Sequence, residues 1–404
     1  MKIVHLQYGS SSSGNYTITL HDLMKRNGID SSVLSLFSTF TPDDFAIQKL
    51  GKFPNLKSSL DHKIQAKLNR ENNKEFGNFS YPILGTDVSS HQLISTADII
   101  YVHWVLGGYL NINSLIKLAQ LGKPLIFVLH DMWTFTGGCH YSFECEKFKG
   151  TCGNCQVLPE NKEKDRSKKL FLKKQKLFQK YNNLYFVAPS RWMEQNAKSA
   201  SLLKNKNIWQ IFNSVSSNFK QLPKRPDKFI KPDKTRKIIG FGANYINSPY
   251  KGFQYLLKAL QILGELNISI DFEILVFGSN LSEEIIKEIP FKVHYTGYLT
   301  SEKEICAAYN SMDVFVVSSI ADNLPTTILE SLRCEVPVVG FETGGIPEMI
   351  EHKRNGYLAK FKSSEDLADG IIFCLKNEVR GKLKPEFEDE QVIAKHFRLF
   401  EAIK

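Results

Sequence analysis

A chain of 404 residues, 42% of them hydrophobic, is too long for one ordinary core and suits two domains of about 150 to 200 residues each. No apolar run approaches the roughly 18 to 20 residues of a membrane-spanning helix. The opening MKIVHLQYGS lacks the apolar core and cleavage site of a secretory signal, so a cytoplasmic location is expected. The formal charge of +10 favours a polyanionic partner, whether nucleic acid, an anionic membrane face or a phosphate-bearing substrate, without choosing among them.

Short apolar runs alternate with helical segments along the chain: KIVHL, SVLSLF, DIIYVHWV, PLIFVLH and LYFVAPS, then KIIGFGA, FEILVFG, DVFVVSS and VPVVGF. They are apolar almost throughout, as parallel strands covered by helices on both faces are. This rhythm predicts an α/β chain of two doubly wound, Rossmann-like domains facing a central cleft. Residues 41–90, rich in Asn, Lys and Ser, read as a long insertion with weak structure. The basic stretch 161–181 places Leu170, Leu177, Phe178 and Tyr181 on a helical stripe, either packed on the sheet or laid on an anionic membrane. Residues 213–237, polar with three prolines, read as the linker before a second sheet that starts at Lys237. The expected division is therefore 1–215 and 216–385, with 386–404 as a terminal helix crossing back to the first domain.

Ligands of open parallel sheets bind beyond the carboxyl ends of the strands. After the first run, SSSSGNYTITL offers a small-residue turn at Ser13 and Gly14 entering a helix, which could approach a phosphate or a sugar or could be an ordinary βα turn. After KIIGFGA, Lys251 precedes a helix whose apolar face is Phe253, Leu256, Leu257, Leu260 and Leu263. A cation at that end conflicts with the helix dipole unless an anion shares the site, and a phosphate would resolve the conflict; a solvated lysine is the alternative. After DVFVVSS, Asp322 lies in a turn and Glu330 two helical turns on, among the apolar residues of TTILESL. Asp322 could simply cap the helix and Glu330 face water, but an unpaired carboxylate in apolar surroundings is costly, and sugar hydroxyls would satisfy it.

Four of the seven cysteines, Cys139, Cys145, Cys152 and Cys155, fall within one loop at spacing Cys-x5-Cys-x6-Cys-x2-Cys. Four soft ligands suit a structural tetrahedral Zn²⁺, and four packed, reduced thiols are the alternative.

The segment IADNLPTTILESLRCEVPVVGFETGGIPEMI resembles the donor-binding signature of family 4 glycosyltransferases of the two-domain GT-B type, in which two acids spaced Glu-x7-Glu flank a turn. YKGFQYLLKAL resembles their phosphate-contacting Lys-Gly segment. DIIYVHW, LHDMWTFTGGCHY, VAPSRWM and FRLFEAIK extend the likeness to the branch that builds bacterial exopolysaccharides such as colanic acid. Two departures stand out: the first acid is Asp322 instead of Glu, and the Arg that often precedes the Lys-Gly segment has no counterpart near Gly242-Ala243-Asn244.

The resemblance implies a retaining transferase that moves a sugar from a nucleotide-diphosphate sugar to a growing, lipid-linked glycan of capsule or lipopolysaccharide type at the inner face of the membrane, without a catalytic metal or other cofactor. Glu330 would accept from ribose hydroxyls, Asp322 would contact the transferred sugar, and Lys251 would neutralise the leaving diphosphate. Ser13, Gly14, Gly242, Gly252, Gly278, Asn323, Leu324, Pro325, Thr326 and Thr327 would line the donor. His130 and His103, each following a strand, could donate to a sugar hydroxyl or phosphate, with His103 and Trp104 on the acceptor side. Two rivals remain open: an epimerase or hydrolase of nucleotide sugars on the same architecture, and a zinc-containing nucleic-acid binder, which the βα halves disfavour.

Overall fold

The computed structural model describes residues 1–10, 16–39, 46–73, 75, 77–230, 233, 235–266 and 270–403. Its contacts divide the chain into two units, one made of the described residues before Asn213 plus the tail from Val392, the other of Asn213–Gln391. The division falls at Phe212–Asn213 and not at 215–216, because the polar stretch that reads as linker is docked on the second unit. Ser216 Oγ donates to Glu302 at 2.8 Å, Leu222 N donates to Asn310 Oδ1 at 2.8 Å, and Arg225 pairs with Asp313 at 3.0 Å.

The first unit is a seven-stranded parallel sheet of β1 (Lys2–Ser10), β2 (Asp30–Ser38), β3 (Ile47–Lys49), β4 (Ile99–Val102), β5 (Leu125–Val128), β6 (Leu184–Ala188) and β7 (Ile208–Gln210), in the order β3-β2-β1-β4-β5-β6-β7. β4 and β5 are buried at every position, as strands covered on both faces must be. The basic segment forms the helix Arg166–Lys180, capped by the Asp165 carboxylate on Lys168 N at 3.0 Å. Its Leu170, Leu177 and Phe178 are buried in the main core, so this stripe packs on the sheet and is not a membrane face. The terminal helix Asp389–Ala402 buries Val392, Ile393, His396, Leu399 and Phe400, a single face at 3.6-residue spacing.

Residues 41–90 depart from the expectation of weak structure, for they contain the 17-residue helix Lys52–Leu68. Its only fully buried residues are Ser58 and Asp61. Ser58 Oγ donates to Gly107 O at 2.6 Å and Asp61 accepts from Leu84 N at 3.0 Å. A helix docked through polar side chains leaves no apolar period in the sequence to announce it.

The second unit is a six-stranded parallel sheet of β8 (Arg236–Tyr245), β9 (Asp271–Ser279), β10 (Lys292–Tyr295), β11 (Val314–Val317), β12 (Val338–Phe341) and β13 (Gly356–Ala359), in the order β10-β9-β8-β11-β12-β13. Its core gathers the helix face Phe253, Leu256, Leu260 and Leu263 against β8, β9 and β11. In each sheet the strand order reverses once, between β1 and β4 and between β8 and β11. Ligand crevices of doubly wound sheets lie at such switch points.

Candidate functional site

At the switch point of the second sheet the loops leaving β8 and β11 are bound together. Ile320 N donates to Tyr250 O at 2.8 Å, and Ser318 Oγ donates to Lys251 O at 3.0 Å. Gly252 follows Lys251 with φ +62, and a Cβ there would lie 2.1 Å from Ser318 O, so the close approach of the two loops requires glycine.

This approach delivers Lys251 Nζ to Asp322 Oδ2 at 2.6 Å, and Ser319 Oγ adds a bond to the same oxygen at 3.3 Å. The anion that answers Lys251 at its helix end is therefore Asp322 itself, where the sequence suggested a phosphate. Burial pulls the Lys251 ammonium down, but Asp322 outweighs it and the net shift is upward, so Lys251 stays charged. Behind Asp322, Gly344 has φ +58 and would bring a Cβ to 1.9 Å from Asp322 O, while Gly345 N donates to that oxygen at 3.2 Å.

Glu330 sits on the helix Thr326–Arg333, only 4% exposed. It is not unpaired, as its surroundings suggested: Tyr309 OH, from the helix Glu302–Asn310, donates to Glu330 Oε2 at 2.9 Å. Burial pushes the Glu330 carboxyl up to about 7, against the lowering pull of the hydrogen bonds from Tyr309 and Thr326. Tyr309 lies on another helix, and nothing in its spacing from Glu330 pointed to it. Asn323, Leu324 and Pro325 are buried in the turn, and Thr326 and Thr327 are half-buried. Pro325, the N-cap, provides no side-chain acceptor, so no side chain caps this helix end. Gly242 and Gly278 have steric reasons of their own: added Cβ atoms would meet the Phe277 ring at 2.1 Å and Ala243 O at 1.9 Å.

In the first unit, His103 follows β4 and His130 lies just beyond β5, again at the switch point. They are linked: His103 Nδ1 lies 3.0 Å from His130 Nε2, and His103 Nε2 lies 3.0 Å from Nδ1 of His5 within β1. Tyr16 sets its ring edge-on to His103 and His130 at centroid distances of 6.3 and 5.9 Å. Ser13 and Gly14, just before Tyr16, lie outside the described residues. A recess beside the row is lined by His103, Trp104, His130, Asp131, Trp133 and Thr134. Asp131 accepts from His140 Nδ1 at 2.6 Å, and His140 Nε2 lies 2.8 Å from Ser80 Oγ, which ties the loop after β5 to residue 80. Sequence reading passed over His5, although a histidine inside the apolar run KIVHL was its visible sign.

The four cysteines expected to hold a structural zinc lie in the long connection after β5. Among the described residues no three His, Cys, Asp or Glu side chains converge where a metal ion could sit, and all seven cysteines are free thiols. Burial raises the thiol pKa of Cys139 and Cys155 and pushes that of Cys152 up to about 12, so thiolates are disfavoured there. Other groups hold the loop. The buried Lys174 donates to Trp133 O and to Thr136 O and lies 3.5 Å over the Trp133 ring, and Thr136 Oγ1 donates to Cys139 O at 2.7 Å.

Residues 236–377 match the family model of glycosyl transferases group 1. The chain is 26% identical over 132 residues to an uncharacterized glycosyltransferase of Haemophilus influenzae, a match covering 32% of this chain and 37% of that protein's length. It is 23% identical over 329 residues to the "Putative colanic acid biosynthesis glycosyl transferase WcaC" of Escherichia coli, covering 75% of this chain and 76% of WcaC. Among solved structures, Anabaena Alr3699/HepE in complex with UDP and glucose aligns over 100% of this chain and 99% of its own with a TM-score of 0.58 at 17% identity. That likeness gives the fold as the two-unit GT-B architecture.

Proposed function

We propose that the chain, whose residues 236–377 match the family model of glycosyl transferases group 1, moves a sugar from a nucleotide-diphosphate donor to a growing glycan of a cell-surface polysaccharide. The observation that carries this reading is the Lys251–Asp322 pair beside the buried Glu330 at the switch point of the second sheet. A diphosphate arriving at Lys251 exchanges places with Asp322 as the partner of the ammonium. The exchange frees Asp322 oxygens to accept from hydroxyls of the sugar being transferred, and Glu330 is left to accept from the ribose. Lys251 then faces the charge that develops on the leaving diphosphate, where a preorganised cation contributes most. Transfer proceeds with retention by attack on the face the phosphate leaves, and needs no protein nucleophile and no catalytic metal. HepE has been solved with UDP-glucose, and WcaC is named for colanic acid, which supports a UDP-sugar donor and a polysaccharide product.

The acceptor in this reading is lipid-linked and met at an anionic membrane surface. The helix Lys52–Leu68 supplies the contact: Phe53, Leu56 and Leu60 are 80%, 68% and 51% exposed, and its one acid, Asp61, is buried. Ser58 holds this helix on the turn at Gly107, three residues beyond Trp104. Among the described residues no helix is long and apolar enough to cross a membrane.

A thermal-shift screen of nucleotide sugars tests the donor assignment. A true donor at about 100 times its Kd stabilises by roughly 2.7 kcal/mol, and Lys251→Ala should reduce that shift. A screen in which no nucleotide sugar stabilises the protein would refute it. A new sugar nucleotide formed from donor alone would point to the epimerase.

A further inference from the structure

The helices Glu302–Asn310 and Thr326–Arg333 meet through the bond from Tyr309 to Glu330 and, one turn away, through a second contact. There Cys306 Sγ lies 3.9 Å from Sγ of Cys334, the C-cap of the second helix. Cys306 precedes Tyr309 by one turn and Cys334 follows Glu330 by one turn, so the two contacts are neighbouring rungs between antiparallel helices. We propose that Cys306 and Cys334 are a dithiol that a hydroperoxide oxidises to a reversible disulfide, and that the disulfide weakens donor binding by displacing Glu330.

The two sulfurs are placed unequally. Cys306 Sγ donates to Lys220 O at 3.5 Å and accepts from Asn310 Nδ2 at 3.5 Å. Its one proton is committed to Lys220, so the bond between the sulfurs is donated by Cys334. That bond pulls the Cys306 thiol below its ordinary value against the effect of burial, while the same bond and burial push Cys334 up. Cys306 is therefore the nucleophile and Cys334 the resolving thiol. Both are buried, but Cys306 lies directly beneath Lys220, an exposed residue of the docked linker, and local opening of that segment admits a small oxidant. Cys306 Sγ attacks one peroxide oxygen and the O–O bond breaks. The second oxygen leaves with the Cys306 proton as an alcohol or water, and Cys306 becomes a sulfenic acid. Cys334 Sγ then attacks Cys306 Sγ, the S–O bond breaks, and the hydroxyl leaves with the Cys334 proton as water. The thiol pair gives up two electrons and the hydroperoxide takes them. Sulfurs in a disulfide are about 2.0 Å apart, so the pair must close by about 1.9 Å. The helices take up that closure, and the rung from Tyr309 to Glu330 moves with them. The effect on donor binding rests on the transferase reading of Glu330; the disulfide does not.

Treatment of the full chain with hydrogen peroxide, removal of the excess and peptide mapping without reductant test the inference. The expected result is a covalent link between the peptides bearing Cys306 and Cys334, which dithiothreitol breaks. In titrations with the nucleotide sugar that stabilises the reduced protein, the oxidised protein should bind roughly tenfold more weakly, as loss of one hydrogen bond to a charged group implies. Dithiothreitol should restore the affinity. Cys306→Ala treated in the same way should keep its affinity, which separates this pair from oxidation of Cys139, Cys145, Cys152 or Cys155. A wild-type map in which Cys306 and Cys334 stay unlinked overturns the inference, and that measurement needs no variant to fold. A linked pair with unchanged donor affinity overturns the action of the disulfide on Glu330. Failure of the reduced protein to bind any nucleotide sugar would instead count against the transferase reading and leave the mapping result standing.

Discussion

Glu330 is an acid whose folded pKa, about 7, stands above its ordinary value of 4.5. The folded state therefore holds a proton that the unfolded chain has released across the window between those two values. Stability is fully present below about 4.5 and declines as pH rises through the window, by up to about 3 kcal/mol above it. Glu330→Gln has no proton to lose, so its stability relative to wild type should improve between pH 5 and pH 8. Denaturant titrations across that range check this, and parallel profiles for the two proteins would show that Glu330 is not the titrating group. Above pH 7, where the carboxyl is ionised, the same substitution should weaken nucleotide-sugar binding, because a charged hydrogen bond worth about 1.5 to 3 kcal/mol is exchanged for a weaker one. Lys251 behaves in the opposite sense, since Asp322 keeps it charged. Lys251→Ala should accordingly slow transfer at saturating donor and acceptor far more than it lowers Tm, and wild-type turnover would remove Lys251 from the reaction.

At the scale of elements, what holds Asp322 in place is glycine geometry. Gly344→Ala should cost much more than the change of one residue in a left-handed turn, because its Cβ would press on Asp322 O. Gly297, with φ +70 and nothing within 4 Å of its added Cβ, is the matched control, and Gly297→Ala should cost only about 1 to 2 kcal/mol. Equal Tm losses, with donor affinity intact in both, would mean that the Gly344 contact does not position Asp322. The elements also explain what the sequence could disclose. Nine strands are readable as apolar runs, and they are the inner strands of both sheets. The four it does not disclose, β3, β7, β10 and β13, are the edge strands, three or four residues long and carrying polar residues such as Gln48, Gln210 and Lys292. An edge strand is covered less completely, so it needs no continuous apolar run. The site divides in a similar way. Lys251, Asp322 and Glu330 are legible because they stand at strand ends or in an apolar helix. Tyr309 is not, because a hydrogen bond between distant elements leaves no spacing in the chain.

At the scale of the whole molecule, 52 basic against 42 acidic residues give a charge of +10 but say nothing of where it acts. The helix Lys52–Leu68 concentrates the two properties an anionic membrane recognises. Lys52, Lys57, Lys63 and Lys67 are exposed on it, Phe53, Leu56 and Leu60 stand out from it, and no exposed acid opposes them. Each lysine near an anionic surface contributes about 1 kcal/mol, a term that salt screens, while the apolar side chains add a term that salt does not weaken. Protein should therefore sediment with phosphatidylglycerol-containing vesicles more than with phosphatidylcholine vesicles. Lys57→Gln with Lys63→Gln should lose about 2 kcal/mol, roughly 30-fold in partitioning, with a shallower salt dependence. Phe53→Ser with Leu56→Ser should weaken binding even in high salt, and should leave the fold intact because neither side chain belongs to the core. Transfer to a short, water-soluble acceptor should survive both double substitutions, while transfer to an acceptor embedded in vesicles should fall. Equal sedimentation with neutral and anionic vesicles, unaffected by either pair, would take the membrane role away from this helix.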